Sequence, residues 1–186
     1  MNGPEFRVER AAAHDARAIA EIHVESWRAA YRGLVPQGYL DALSVQEKTE
    51  FWSAVIAQGE VSLLVARTPL GGIAGWLCAG PSRDADAPPG TAEVQALYVR
   101  PSHWSLGAGQ VLWHACLAQL VVQGAWQRVT LWVLAGNERG LAFYRRVGFV
   151  ADEAAGSPSF ELGGATLHEQ RLVFTLPLAA QSTTGA

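Results

Sequence analysis

The segment Leu97–Gln110 constrains the fold more than any other part of this sequence. Its pattern predicts a β-strand that ends at Val99, a loop opened by Pro101, and a helix that begins at Gly107 or Ala108. Pro101 excludes a simple continuation of the strand, because proline has no backbone N–H to donate to a neighbouring strand. A strand that leads directly into a helix is typical of an α/β domain with helices packed on a sheet.

This helix start has the chemistry of an anion-binding site. Backbone amides in a first helical turn lack intrahelical partners, and the helix dipole favours negative charge there. Glycine at 107 and 109 would let a pyrophosphate approach the backbone without a Cβ in the way. The same Gly-x-Gly pattern is equally compatible with a helix that starts with small residues for close packing. With no third glycine near Trp113 and no Gly-Lys-Ser/Thr, it is neither a dinucleotide fingerprint nor a Walker loop.

A second motif lies downstream, in Asn137–Phe149. It follows a predicted strand, forms a short helix with the pair Phe143-Tyr144, and ends at Gly148-Phe149. Together the two segments resemble the GNAT superfamily of N-acetyltransferases. In that superfamily an apolar-x-Val step leads into Gln/Arg-x-x-Gly-x-Gly/Ala, and Asn, an aromatic-Tyr pair and Gly-Phe follow after a helix and a strand. The resemblance is close from Glu93 to about Val150, and implies transfer of an acetyl group from acetyl-CoA to an amine.

The resemblance also implies where acetyl-CoA binds. The backbone of Leu97, Tyr98 and Val99 would meet the acetyl carbonyl and the pantetheine arm, at a point where two central parallel strands splay apart. Asn137 would hydrogen-bond the pantetheine side, Phe143 would line the cofactor wall, and Tyr144 would stand near the thioester sulfur. The loop residues implied at the phosphates are Trp104, Ser105, Leu106, Gly107, Ala108, Gly109 and Gln110.

The loop departs from the family pattern at two positions. Trp104 stands where the family usually has Gln or Arg, and Leu106 replaces a frequent basic residue. Backbone amides do not depend on the side chain, so phosphate binding can survive. Positive charge near the pyrophosphate would then come from outside the loop, with Arg100, Arg139 and Arg145 as the nearby candidates.

The chemistry requires a base that deprotonates the amine and a donor for the departing thiolate. The resemblance favours Tyr144 as the acid, and the Leu97 N–H could hold the carbonyl oxygen. Because side chains alternate along a strand, Glu93, Gln95, Leu97 and Val99 are expected to share the cleft face. Glu93 is therefore the candidate base and Gln95 a residue that orders a water. A solvated carboxylate at a strand start is an equal alternative for Glu93.

The end of the first helix is the candidate acceptor site. Trp27 and Tyr31 lie on one helical face, within a Trp-Arg-x-x-Tyr pattern similar to GNAT proteins that resemble polyamine or small-amine acetyltransferases. They are expected to form an aromatic wall for an amine, with Glu25 or Asp41 as counter-charge. The alternative is that both rings pack the helix onto the sheet.

The order of predicted elements indicates a mixed α/β sheet with helices on both faces. The resemblance makes this sheet mostly antiparallel with two splayed parallel strands. The predicted strands are 6–10, 61–67, 73–79, 93–99, 129–134, one that starts at 149, and 167–176. The predicted helices run from His14-Asp15 to Tyr31, from Ser44 to Gly59 with a short turn at 39–43 before it, from 107 or 108 to about 124, and over 138–146.

The chain of 186 residues fits one domain, with a core at about 5–177 and a tail, 178–186, that is expected to fray. Its net charge of −3 and lack of a basic stripe argue against nucleic-acid and membrane partners. Cys78 and Cys116 are expected to be buried, reduced thiols, which indicates a cytoplasmic protein. No metal ligand spacing occurs. Some of the tryptophans at 52, 76, 104, 126 and 132 are expected to serve a homodimer interface.

Two rival functions stay open at this point. Acetylation of a protein N-terminus or lysine would need an open groove between the first helix pair and the last hairpin. A CoA-binding regulatory domain without turnover is favoured by Trp104, whereas Tyr144 and Glu93 argue against it. The leading hypothesis is acetylation of a small-molecule primary amine.

Overall fold

The computed structural model describes residues 5–176, which form eight strands, five α-helices and three short 3-10 helices. The strands are β1 (Arg7–Arg10), β2 (Ser62–Arg67), β3 (Ile73–Pro81), β4 (Thr91–Val99), β5 (Arg128–Leu134), β6 (Val150–Ala151), β7 (Ser159–Leu162) and β8 (Ala165–Thr175). The helices are α1 (Ala16–Ala30), α2 (Gln37–Ala42), α3 (Val45–Gln58), α4 (Ala108–Gln123) and α5 (Glu138–Arg146).

Local sequence signals set the helix ends where the patterns predicted them. The Ser44 hydroxyl accepts a hydrogen bond from the Glu47 amide at 3.3 Å and caps α3. Gly59, at φ 67°, ends the same helix in the left-handed conformation. Strand β7 was not predicted, and it forms a hairpin with β8 through Gly163 and Gly164.

The strands form one mixed sheet in the order β1-β2-β3-β4-β5-β8-β6, with β7 paired to β8. All neighbours are antiparallel except β4 and β5, which confirms the predicted fold class. The parallel pairing covers only Thr91–Glu93 against Arg128–Thr130. Beyond Glu93, β4 stays paired with β3 while β5 stays paired with β8, so the two parallel strands splay apart.

The core lies in two main layers, one on each face of the sheet. Helix α4 covers one face with Leu112, Trp113 and Cys116, while α1 and α3 cover the other with residues that include Ile19 and Ile22. The described residues therefore have helices on both faces, as predicted. Cys78 and Cys116 are buried free thiols, which confirms that expectation as well.

The tryptophans expected at an interface fall into two groups. Trp76 is 0% exposed and Trp52 is 5% exposed, because both pack between the sheet and helices α1 and α3. These two rings are therefore not available to a partner chain. Trp104, Trp126 and Trp132 are half-buried, and an interface role for some of them stays a prediction. Assembly as a homodimer and a cytoplasmic location stay predictions, as does the single-domain boundary, and the tail 178–186 lies outside the described residues. None of the helices within residues 5–176 has the length and apolar character needed to cross a membrane.

Candidate active site

A β-bulge in β4 decides which side chains face which cavity. Val94 pairs with Ala79 and Ala96 pairs with Cys78, so Gln95 is an extra residue without a partner on β3. The bulge reverses the alternation after it. The expectation that Glu93 shares a face with Leu97 and Val99 is therefore wrong.

On the α4 side of the sheet, β4 contributes Ala92 and Val94 before the bulge and Leu97 and Val99 after it. On the opposite side it contributes Ala96 and Tyr98, which pack with the residues of α1 and α3. Glu93, which precedes the bulge, lies on this second side. Leu97 and Val99, expected at the cofactor, thus lie on the face opposite the candidate base, whereas Tyr98 shares the face of Glu93.

The larger cavity, of about 530 Å³, opens where β4 and β5 splay apart. Thirteen residues were expected at the cofactor, and all except Leu106 line this one cavity. They are Leu97, Tyr98, Val99, Trp104, Ser105, Gly107, Ala108, Gly109, Gln110, Asn137, Phe143 and Tyr144. Leu106 is 44% exposed to solvent, and its backbone amide donates to the His103 carbonyl at 3.4 Å, so neither its side chain nor its amide faces this cavity as a free donor.

The loop before α4 presents a row of free amides. Helical hydrogen bonding begins with the Val111 amide, which donates to the Gly107 carbonyl at 3.1 Å, and within the described chain the amides of 107–110 have no backbone acceptor. Ser105, at φ 63°, is the one non-glycine residue between 5 and 176 with a positive φ, which is a strained backbone position of the kind found at functional sites. These amides fit a pyrophosphate.

Gly107 and Gly109 are required for different physical reasons. Gly107 has φ 96° and no atom within 4 Å of a Cβ placed there, so it serves the left-handed turn and the open approach. At Gly109 a Cβ would lie 3.1 Å from the Phe143 ring, so this glycine permits close packing of α4 against α5. The close-packing interpretation of the motif is thus correct for one glycine.

The carbonyl of Val99 is less available to the pantetheine arm than expected. It accepts from the Ser26 hydroxyl at 3.0 Å and from the Trp104 indole N–H at 2.7 Å. Both lone pairs of that oxygen are occupied, so this carbonyl offers no further acceptor to a bound molecule. Ser26, on α1, was not predicted as a site residue, although it lines the cavity.

Helix α5 positions Asn137 and Tyr144. The Asn137 Oδ1 accepts from the Gly140 amide at 3.0 Å and caps the helix, which leaves its amide N–H groups for the cofactor. Tyr144 packs between the rings of Phe143 and Phe149. Burial raises the pKa of the Tyr144 hydroxyl, so this group stays protonated.

A second cavity, of about 270 Å³, lies on the α1 side and adjoins the first. Tyr31, Gln95 and Tyr98 line both cavities. Trp27 and Tyr31 meet edge to face at 4.9 Å between ring centroids and form one wall, as their helical spacing predicted. The structure therefore brings all three expected acceptor residues, Trp27, Tyr31 and Gln95, to one cavity.

The second cavity contains two carboxylates. Glu93 is nearly fully buried, and both of its oxygens accept hydrogen bonds from Arg83. Glu169, on β8, was missed by the sequence reasoning, and within residues 5–176 its carboxylate has no hydrogen-bond donor or ion-pair partner. Burial and then the charge of Glu93 raise the pKa of Glu169. The alternation of polar and apolar residues along the predicted final strand, 167–176, was the sequence signal that could have identified Glu169.

The expected counter-charges at the acceptor lie elsewhere. Glu25 is ion-paired with Arg100 at 2.6 Å, and Asp41 accepts from the Gln37 side chain at 2.7 Å. Neither residue lines the second cavity, so their predicted role is wrong. They sit on the solvent side of α1 and α2 rather than facing the sheet.

The tip of the β7–β8 hairpin packs against α2 and the segment before it. A Cβ placed on Gly163 would lie 2.9 Å from the Tyr39 Cβ and 3.5 Å from Pro36, so the turn rests directly on α2 and the segment before it. Leu162, beside it, packs with Tyr39 and Trp27 in a small apolar cluster. The hairpin tip therefore contacts α2 and the segment before it at one end of the second cavity.

A buried arginine anchors the loop that carries Arg83. Arg171, on β8, is 7% exposed and binds Asp84 and Asp86 of that loop, as well as Asp152. Trp132 also donates its indole N–H to Asp84 at 2.9 Å. This network holds the β3–β4 loop against β5 and β8 at the mouth of the second cavity. Among residues 5–176, no group of three or more potential ligands could hold a metal ion.

Comparison with known proteins gives a consistent result. The sequence profile of the acetyltransferase (GNAT) family matches residues 16–149. A curated relative, the uncharacterized N-acetyltransferase YuaI of Bacillus subtilis (strain 168), is 28% identical over 162 residues, covering 87% of this chain and 88% of the relative.

Solved structures share the fold at low sequence identity. PaiA N-acetyltransferase from Thermoplasma acidophilum, in complex with coenzyme A, superposes with a TM-score of 0.73 at 18% identity, over 92% of this chain and 99% of that one. YncA from Salmonella typhimurium, a putative acetyltransferase with acetyl-CoA, gives 0.70 at 18% identity, over 97% and 99%. At these identities the likeness concerns the fold.

Proposed function

Because this chain belongs to the acetyltransferase (GNAT) family and uses acetyl-CoA as its acyl donor, we propose that it acetylates the primary amine of a small molecule held in the second cavity. The observation that carries the proposal is the packing of the β7–β8 hairpin. Gly163 contacts α2 and the segment before it, and Leu162 packs in the same apolar cluster, which narrows the end of the cavity where a peptide or protein tail would enter. The acceptor is therefore expected to fit a space of about 270 Å³.

The lining of this cavity favours an amine with an apolar body. Aromatic rings of Trp27, Tyr31, Tyr98 and Trp132 surround it, and such rings attract cations as well as apolar groups. Burial keeps the Tyr31 and Tyr98 hydroxyls neutral by raising their pKa values. The walls thus suit an alkyl or aryl amine.

The charges of the cavity select for one positive group. Arg83 carries one positive charge and is bound to Glu93, so these two side chains compensate each other. The Glu169 carboxylate, when ionised, is then the uncompensated charge among the lining residues. A substrate with a single ammonium group would balance it, whereas a polycation would leave charge buried without a partner.

Deprotonation of the amine is assigned to the carboxylates of the second cavity. A proton acceptor works best when its pKa lies near the working pH, and Glu169 has a raised pKa and free oxygens. We assign Glu169 as the base that accepts the proton of the amine, directly or through a water held by Gln95. Glu93, the base expected from the sequence, contributes its charge, which makes Glu169 more basic.

On the other side of β4, Tyr144 would supply the proton for the departing thiolate. Acetyl-CoA provides the thioester carbonyl that the amine attacks, and the backbone N–H of Leu97 would stabilise charge on its oxygen. The splayed strands align the two cavities, so positioning contributes to the rate as well. No covalent enzyme intermediate is needed.

An amine panel tests the acceptor assignment. With acetyl-CoA present, we expect turnover of small alkyl and aryl monoamines, weaker turnover of polyamines, and none of peptides with a free N-terminus or lysine. Peptide acetylation at rates equal to the monoamines would refute the assignment. CoA binding without turnover of any amine would instead support a regulatory domain.

A pair of isosteric variants tests the base. Glu169→Gln should abolish most turnover at every pH, since the amide cannot accept the proton. Glu93→Gln should keep activity but move its acidic limb to lower pH, because the pKa of Glu169 falls when the neighbouring charge is removed. If Glu93→Gln abolishes turnover while Glu169→Gln does not, Glu93 is the base.

Tyr144→Phe tests the acid. The variant keeps the ring contacts to Phe143 and Phe149, so acetyl-CoA should bind with nearly unchanged affinity. We expect kcat to fall by about 100-fold, within the range known for general acid catalysis. An unchanged kcat, with chemistry confirmed as rate-limiting, would remove Tyr144 from the mechanism.

A further inference from the structure

The Trp104 side chain occupies a defined place beside the phosphate loop. Its indole N–H donates to the Val99 carbonyl at 2.7 Å, which fixes the ring against the end of β4. The face of the indole ring contacts Arg139, whose guanidinium carbon lies 4.2 Å from the ring centroid. Both residues line the cofactor cavity. Trp104 therefore holds a cation at the position where the loop itself has none.

The other cations near the loop are less suited to this role. Arg100 is bound to Glu25 through contacts of 2.6 and 2.9 Å, so its charge is compensated. Arg145 does not line the cofactor cavity. Arg146 does, but from the C-terminal end of α5, and Glu138 adds one negative charge at the N-terminal end. Arg139 is the cation held in place by a ring.

The position of Arg139 on α5 places it near the free amides at the start of α4. Phe143, one helical turn after Arg139, lies against Gly109 in the first turn of α4. Residues four apart share a helical face, so Arg139 lies on the side of α5 that meets the start of α4. The amides of 107–110, which have no backbone acceptor in the described chain, begin that helix.

We propose that Arg139, held by stacking on Trp104, binds a phosphate of CoA and replaces the positive charge that the loop lacks. Trp104 acts as a positioning residue and Arg139 as the binding residue. Stacking uses the flat face of the guanidinium and leaves the N–H groups at its edge free to donate to phosphate oxygens. The inference rests on acetyl-CoA as the acyl donor and does not depend on which amine is acetylated.

Calorimetric titration of CoA tests the binding role without turnover. Arg139→Ala should weaken CoA binding by about 10- to 100-fold, the loss typical of a hydrogen bond to a charged group, and should make the affinity less sensitive to salt. Arg145→Ala, on the same helix but outside the cavity, is the matched control and should bind as the unmodified protein does. Unchanged affinity of Arg139→Ala would overturn the proposal.

Dephospho-CoA, which lacks the 3′-phosphate, identifies the phosphate. If Arg139 binds the pyrophosphate, Arg139→Ala loses the same factor with CoA and with dephospho-CoA. If it binds the 3′-phosphate, the loss is confined to CoA. Both results support the proposal, and a variant that binds both ligands normally refutes it.

A double-mutant comparison tests whether Trp104 acts through Arg139. Trp104→Leu should weaken CoA binding nearly as much as Arg139→Ala, and the double variant should be no weaker than either. Trp104→Phe keeps an aromatic face and should retain most of the affinity, which separates stacking from a folding defect. Trp104→Arg in the Arg139→Ala background should recover binding. Losses that add fully in the double variant would show that Trp104 does not position Arg139.

Discussion

His23 gives this protein a pH-dependent stability whose size can be worked out from the structure. The imidazole, on α1, is 8% exposed and surrounded by the rings of Trp27, Trp52, Trp76 and Tyr98. Its Nδ1 accepts from the Trp52 indole N–H at 3.3 Å, so the neutral ring carries its proton on Nε2. A proton on Nδ1 would turn it into a donor, and this N–H would then oppose the Trp52 N–H.

The direction and size of the effect follow from the pKa. Burial, and then the charge of Lys48, lower the pKa of His23 from 6.5 to about 3. Between these values the unfolded chain binds a proton that the native protein does not, so stability is lost as the pH falls below 6.5. Between pH 8 and pH 5, this one group should lower the free energy of unfolding by about 2 kcal/mol.

Equilibrium urea unfolding without CoA, at pH 8 and at pH 5, measures this loss. His23→Phe removes the titrating group, so its own loss over that range should be about 2 kcal/mol smaller, although the variant is less stable at both pH values because Trp52 loses its acceptor. His114→Gln, at an exposed histidine on α4, should show the same pH dependence as the unmodified protein. Equal losses in His23→Phe and the unmodified protein would refute the reasoning.

Three further changes test the scaffold. Gly75→Ala should destabilise the protein by about 1 to 3 kcal/mol in urea unfolding, because its Cβ would lie 2.8 Å from the Tyr98 carbonyl oxygen, whereas Gly72→Ala, whose nearest contact is 3.6 Å, should be close to neutral. Ser44→Ala should cost about 1 kcal/mol through the loss of the α3 cap, measured in the same way. Arg171→Met should cost about 2 to 3 kcal/mol, because the half-buried carboxylates of Asp84 and Asp152 lose their charged donor, and should also speed proteolysis of the β3–β4 loop.

The features that the sequence predicted correctly depend on local signals. Ser44 and Gly59 mark the ends of α3 because a cap and a left-handed glycine act within one turn of the chain. The two motifs placed their residues in one cavity because both sit where a strand meets a helix. Trp27 and Tyr31 reached the acceptor cavity because spacing on a helix is regular.

The features that the sequence missed depend on contacts between distant segments. The bulge at Gln95 is set by the register of β4 against β3, and no residue type in 93–99 indicates that a bulge occurs there. Glu169 reaches the second cavity because β8 pairs with the whole of β5, as far as the Leu134–Glu169 pair. The stacking of Arg139 on Trp104 joins positions 35 apart in sequence, which periodicity within either element cannot reveal.

The bulge links the fold to the proposed chemistry in two ways. Gln95 comes two residues after Glu93, the last residue of β4 that pairs with β5, and a bulge bends and twists the strand that contains it. The bend helps to separate the two parallel strands, which opens the cofactor cavity along β4. The same extra residue places Glu93 on the face of Tyr98, so the carboxylate lines the second cavity instead of the first. One irregularity in one strand thus separates the two cavities that the proposed mechanism assigns to acetyl-CoA and to the amine.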